Sequence, residues 1–316
     1  MTPWSRSQFI AGSLSAALAT VEPVHAQPAL QTLRIGVTAT DVFAEAYYAA
    51  DMGFFRKAGI NADVQTFSSG AAASNAVIGG SLDMGVTTPL LLANGYLRGL
   101  PFVIVAAGSV NTPKAPQFLL CVKKNGPIRS AKDLVGKTVG LNVLKTVLEL
   151  SLDAYLTKNN VNIADVKRVE VVFSEMAPAI ERGTIDAALI SEPALSVALK
   201  KGEISVLADP NADIAPRFLA GAWFTTRQFA QQNPDLVKRF ASAIYETARW
   251  ANTHHDQSAQ ILAKYTKLDP DIARTMIRAE YAERMVLPEM QTLLDVSVKY
   301  GFLPKPVTAA DLVVRT

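Results

Sequence analysis

Short apolar runs rich in Val, Ile and Leu alternate along this chain with longer segments in which apolar residues return every three or four positions. The first spacing is that of buried strands and the second that of amphipathic helices, so their alternation predicts an α/β fold with mostly parallel sheets. In the first third the pattern predicts strands over 33–38, 62–67, 83–87 and 102–107, with helices over 44–58, 71–79 and 89–98 between them. A second set follows, with strands over 118–123, 138–142, 169–173, 187–190 and 205–208 and helices over 131–135, 146–159, 177–182 and 193–201. Each set has the makings of a small doubly wound sheet.

Pro113 and Pro116 separate the two sets, and Pro210, Asn211, Asp213 and Pro216 close the second, so the chain is expected to cross between two lobes twice. The stretch Ala222 to Thr225 then returns to the first lobe. This reading gives a first lobe of residues 27–115 and 218–316 around an inserted second lobe of 116–217. Beyond Asn233 the pattern is nearly all helical, which places a helical C-terminal part on the first lobe. Asn233-Pro234-Asp235 and Asp269-Pro270-Asp271 each set a capping residue before a proline at the first helical position. There the missing N–H costs nothing and the following acid meets the positive end of the helix dipole. Gly301 is the predicted stop of a last helix that begins near Glu289.

The first residues follow a different rule. Arg6 precedes an apolar stretch from Phe9 to Val21 that is too short to span a membrane, and Val24-His25-Ala26 offers the small-x-small pattern of a signal-peptidase site. Residues 1–26 therefore predict a cleaved secretory signal peptide and a periplasmic mature protein. Ser5-Arg6-Ser7-Gln8-Phe9 departs from a twin-arginine signal at Ser7, which favours general secretion. The remaining 290 of 316 residues are too many for one simple core and suit two. Arg6 and Glu22 cancel, so the mature chain keeps the formal net charge of +3, and its basic residues are scattered. No basic block points to nucleic acid or to an anionic membrane. The lone Cys121 lies in an apolar run, where a buried core residue is expected.

Four phrases resemble the periplasmic binding proteins of the sulfonate, taurine, nitrate and thiamine-pyrimidine importer group. They are Gly53-Phe54-Phe55-Arg56-Lys57-Ala58-Gly59-Ile60; Ser69-Gly70 with Ala76 to Asp83; Asp133-Leu134-Val135-Gly136-Lys137-Thr138-Val139-Gly140; and Ile180 to Ala187 followed by Glu192-Pro193. Their order and spacing fit nearly the whole mature chain. The resemblance implies a monomeric two-lobed clamp that closes on a small molecule, docks on an ABC transporter permease and needs no cofactor. Where the group often has small residues after the strand at 138–142, this chain has Asn142-Val143-Leu144-Lys145-Thr146. That departure narrows one side of the pocket and adds a cation. Pyrimidine-synthesising relatives of the same fold carry a cysteine-rich motif that a chain with one cysteine cannot supply. His254-His255 lacks a third spaced metal ligand.

In open α/β sheets ligands lie beyond the carboxyl ends of the strands. On the first lobe this rule selects Thr38 with Thr40 and Asp41, then Ser68, Ser69 and Gly70, then Thr87 and Thr88. Small residues after Gly70 would leave helix N–H groups open to an anion or carboxyl group. Ser68 or Ser69 can equally serve as an ordinary N-cap, and the two readings are compatible. On the second lobe the rule selects Asn142, Lys145 and Thr146, then Ser174-Glu175, then Ser191-Glu192. Lys145 either pairs with an anionic ligand group or is a solvated lysine at a helix start. Glu192 either accepts from a ligand amine or stabilises the next helix. Phe43, Tyr47, Tyr48 and Trp223 are candidates for an aromatic wall or for the core. Secretion sets the first test: mass spectrometry of exported material should find a mature chain beginning near Gln27, and an intact leader on that material would overturn the expectation.

Overall fold

The computed structural model describes Met1 and residues 30–314; the predicted leader and its cleavage site lie outside the described residues. The strands in chain order are β1 Gln31–Thr38, β2 Ile60–Phe67, β3 Met84–Thr87, β4 Phe102–Ala107, β5 Ser109–Asn111, β6 Leu119–Lys123, β7 Thr138–Leu141, β8 Lys167–Glu170, β9 Ala187–Ile190, β10 Ile204–Ala208, β11 Phe218–Leu219, β12 Ala222–Thr226 and β13 Glu280–Tyr281. Two five-stranded sheets result, in the orders β2-β1-β3-β12-β4 and β8-β7-β9-β6-β10. Each defines one lobe. In each sheet four strands run one way and a single strand, β12 or β6, runs against them. Strands linked through a right-handed helical crossover within one sheet run parallel to one another. β6 and β12 are each the first sheet strand after a crossing from the other lobe, so no such link constrains them.

The same device sets register in both lobes. Gly80 and Gly183 adopt left-handed backbone at helix ends, with φ of 73° and 72°, and an aspartate follows three residues later. The Asp83 N–H donates to the Arg34 carbonyl at 2.9 Å, and Asp83 Oδ2 accepts the Arg34 N–H at 2.8 Å. Asp186 treats Thr138 in the same way, with its Oδ2 accepting the N–H at 2.9 Å. These two acids therefore lock the strand starts of β3 on β1 and β9 on β7, at the sheet ends opposite the cleft.

Two differences from the sequence pattern matter. The expected helix over 44–58 is broken by Gly53, whose φ of 76° ends Glu45–Asp51 and starts Phe54–Lys57. The expected strand over 169–173 ends at Glu170, and the helix begins at Phe173 and runs through Pro178 to Arg182. Met176, Ala177 and Ile180 are buried on one face of that helix, and this 3.6-residue spacing outweighs the proline. Phe173 is thereby turned from a strand end into a helix start.

The crossings are tied together by a small third sheet that the sequence pattern did not reveal, because its strands are only two or three residues long. β5 pairs antiparallel with both β11 and β13, and Gly108 N–H donates to the Gly221 carbonyl at 2.9 Å. One core lies between the first sheet and the C-terminal helices, around Tyr48, Phe55, Trp223 and Phe240. A second runs from the opposite face of that sheet into the second lobe. A third, which includes the fully buried Cys121, backs the second sheet. Among the described residues no helix is long and apolar enough to cross a membrane.

Beneath the crossings Glu45 is fully buried, and its Oε2 accepts the Trp223 Nε1–H at 2.8 Å. Burial pushes its carboxyl up to about 8. The folded chain thus holds this proton more tightly than the unfolded chain, so the stabilisation is complete below about 4.5 and is lost as pH rises through about 8. Glu45→Gln keeps an acceptor for Trp223 and cannot ionise. In thermal melts it should match the parent near pH 5 and exceed it near pH 9 by on the order of 5 °C; a constant offset at both pH values would show that Glu45 is not the titrating group.

Candidate functional site

The carboxyl ends of strands in both sheets face a cavity of about 50 Å³. That is room for a few waters or a compact solute. The first lobe contributes Thr38, Thr40, Val42 and Phe43 after β1, Gly70 and Ala71 at the start of the helix Gly70–Ile78, and Thr87, Thr88 and Leu91 around the start of the helix Pro89–Leu97. The second lobe contributes Asn142, Val143 and Thr146 with Val147 and Leu148 at the start of Val147–Lys158, then Phe173 and Ser191. Gln117 and Phe118 enter from the first crossing.

Four helices of nine or more residues thus begin at the cavity wall, two from each lobe: Gly70–Ile78, Pro89–Leu97, Val147–Lys158 and Phe173–Arg182. Ser69 caps the first by accepting from Ala72 N–H at 3.2 Å, and Thr88 caps the second by accepting from Leu91 N–H at 3.4 Å. The third has no side-chain cap, because the Thr146 hydroxyl donates instead to the Val143 carbonyl at 2.9 Å. Its first amides, at Val147 and Leu148, belong to cavity-lining residues. Positive dipole ends therefore converge from opposite walls. Thr38 and Thr40 are 6% and 3% exposed, and the hydroxyl of each lacks a hydrogen-bond partner. Ser191 and Gln117 are already engaged: Ser191 Oγ donates to the Gln117 carbonyl at 2.7 Å, and Gln117 Nε2 donates to Ser109 Oγ at 3.1 Å.

Of the residues selected from sequence, Thr38, Thr40, Gly70, Thr87, Thr88, Asn142, Thr146 and Ser191 meet at the cavity. Seven do not, among them Ser174 and Glu175, which lie in the helix Phe173–Arg182 and are not in the lining. Ser68 is exposed, and Ser69 is occupied as the helix cap. Lys145 has a left-handed backbone, with φ of 57°, that turns it into an open outer groove beside Arg98 and Glu149. Asp41 is buried against Arg278, which donates through Nε and Nη2 at 3.0 Å each, and it also accepts Ala279 N–H at 2.6 Å and the Tyr48 hydroxyl at 2.8 Å. Glu192 accepts from Ser196 N–H at 3.0 Å and Ser196 Oγ at 2.8 Å, which stabilises the following helix.

Glu192 does more than cap. Its carbonyl accepts Asp41 N–H at 3.2 Å and its carboxylate accepts Ile277 N–H at 3.3 Å, so it joins the second lobe to two segments of the first. Burial raises its pKa, and the bonds from Ser196 and Ile277 oppose that rise. Tyr47, Tyr48 and Trp223 are core residues; only Phe43 of the expected aromatic wall lines the cavity, where Phe118 and Phe173 join it. Sequence reasoning missed Gln117, Phe118 and Phe173. Pro116 before the crossing marked the place of the first two, and the helical spacing after residue 172 marked the third.

A cavity between two α/β lobes that are joined by paired crossings defines the periplasmic-binding-protein fold. Residues 40–258 match the NMT1/THI5-like family, and the chain belongs to it. A putative binding protein of Brucella abortus is 28% identical over 225 residues, 70% of this chain and 67% of that one. The taurine-binding periplasmic protein of Escherichia coli is 27% identical over 198 residues, 62% of this chain and 59% of that one. The structure of the alkanesulfonate-binding protein SsuA of Xanthomonas axonopodis pv. citri superposes with a TM-score of 0.75 at 19% identity, covering 92% of this chain and 100% of that one.

Gly70 gives the sharpest test of the site's packing. A Cβ there would stand 2.3 Å from Thr87 Oγ1 and 2.9 Å from Thr87 Cβ, so Gly70→Ala must push Thr87 out of place at the cavity wall. Titration of this variant with the best-binding solute should show affinity lowered by about 10-fold or more. Unchanged affinity in a folded variant would remove this helix start from the site.

Proposed function

We propose that this protein is an exported solute-binding protein: it captures a small organic anion between its lobes and delivers it to the permease of an ABC-type importer in the inner membrane. The observation that carries this reading is the pair of unpartnered, buried hydroxyls of Thr38 and Thr40 in a cavity where helix starts from both lobes converge. An unsatisfied buried hydroxyl costs about 1 to 3 kcal/mol, and an oxyanion between the two relieves both costs. The names of the taurine- and alkanesulfonate-binding proteins support an anionic ligand, and the periplasmic location of the former supports the export reading. A monomer with lobe boundaries at 115/116 and 217/218 fits this role, its hinge lying at the three-stranded sheet that holds the crossings side by side. Closure then consists of one lobe turning on that hinge until Glu192 reaches Asp41 and Ile277.

The cavity lining consists of hydroxyl, carboxamide and apolar side chains with glycine. No general acid or base is among them, which supports capture without turnover. Thr38→Val and Thr40→Val test both parts. Each replaces a partnerless hydroxyl with an isosteric methyl, so the free protein should melt at the same temperature or higher. Affinity for the best organic anion from a thermal-shift screen should fall about 5- to 10-fold per substitution. Mass spectrometry should recover that anion chemically unchanged. Destabilised variants with undiminished affinity, or a transformed ligand, would defeat the reading.

A further inference from the structure

The cavity's electrostatics are one-sided. Four helices of nine, nine, twelve and ten residues begin at its wall, and among the described residues no Asp or Glu lines it. The three carboxylates directly adjacent in sequence to lining residues are committed elsewhere. Asp41 is closed in by Arg278, Tyr48 and the Ala279 amide, Glu192 by Ser196 and the Ile277 amide, and Glu149 by the Lys145 amide and Arg168. The hydroxyls of Thr38 and Thr40 supply donors to an anion inside this wall. The remaining surface is apolar and partly aromatic, from Phe43, Leu91, Phe118, Val147, Leu148 and Phe173.

From this arrangement we propose that the site selects compact organic oxyanions with an apolar body and discriminates against those that also carry an ammonium group. The proposal rests on the reading of the protein as an anion-capturing receptor and narrows its ligand class. The oxyanion is held by dipoles and neutral donors, which needs no counter-charge side chain. An ammonium on the same ligand meets the opposite situation. It leaves water for a wall without a carboxylate and for a potential made positive by the helix ends, so its desolvation goes uncompensated. The three phenylalanines do not reverse this, because each is also a steric wall of a cavity of about 50 Å³ with little room for a hydrated cation.

The experiment uses matched pairs that differ in one amine: ethanesulfonate against 2-aminoethanesulfonate, and butanoate against 4-aminobutanoate, titrated calorimetrically into the mature protein. The amine-free member of a pair should bind at least about 10-fold more tightly. Asn142→Asp, at a lining position of the same shape, supplies the missing carboxylate. It should shift the ratio toward the amine by about 10-fold or more while weakening the amine-free member. Equal binding within the pairs, or a preference for the amines, overturns the proposal, as does failure of all four compounds to bind. In that last case a neutral or larger solute that raises the melting temperature would leave the receptor reading standing, whereas a screen in which no solute does so would end both.

Discussion

The buried carboxylate of Asp41 is the point on which the rest of the arrangement turns. A charge at 1% side-chain exposure is tolerable only when it is paired and fully hydrogen-bonded. Asp41 meets that condition by drawing in the Arg278 fork, the Ala279 amide and the Tyr48 hydroxyl, while its own carbonyl takes the Tyr281 hydroxyl. The C-terminal segment is thereby fastened to the loop after β1. That loop carries Thr40 into the cavity beside Thr38 at the end of β1. The same segment continues into β13 of the sheet at the crossings and presents the Ile277 amide to Glu192. One ion pair thus positions the cavity wall, the small sheet at the crossings and the contact between lobes.

The strand order of the two sheets explains why a cavity forms where it does. Both have four parallel strands and one reversed strand entered from the opposite lobe. All the helices that follow parallel strands therefore start at the same edge of their sheet, and the two edges face one another. The aspartates at 83 and 186 act at the far ends. The acids that resemble each other most in sequence context hold register, and the ligand side is left to small and hydroxyl residues.

That division also accounts for the missing charges. A side-chain cation in the cavity would need a long, flexible stem in a space of about 50 Å³, whereas helix ends bring fixed partial charge with no side-chain entropy to lose. Lys145 stays outside for a backbone reason. Its left-handed conformation reverses the chain just before Thr146, and its N–H donates to Glu149 Oε2 at 2.7 Å, which turns the side chain into the outer groove.

Periodicity in the sequence determined the strands, most helices, the double crossing and the two-sheet plan, because each depends on local spacing of apolar residues and on proline and glycine at turns. The rule that ligands lie beyond strand ends also found Thr40, Gly70, Thr87, Thr88, Asn142 and Thr146, since the ends of predicted strands are themselves legible. Only tertiary structure decided the fate of charged residues. Asp41 and Arg278 are 237 positions apart, and nothing local distinguishes a carboxylate that awaits a ligand from one that will be buried against a distant guanidinium. Glu192 likewise read as a possible ligand acceptor until the Ile277 amide, 85 positions away, was seen to face it. Gln117, Phe118 and Phe173 reach the cavity through the crossing and through a helix that starts four residues before its predicted start at Ala177. Their role comes from how the lobes meet, a property of packing between segments and not of any one of them.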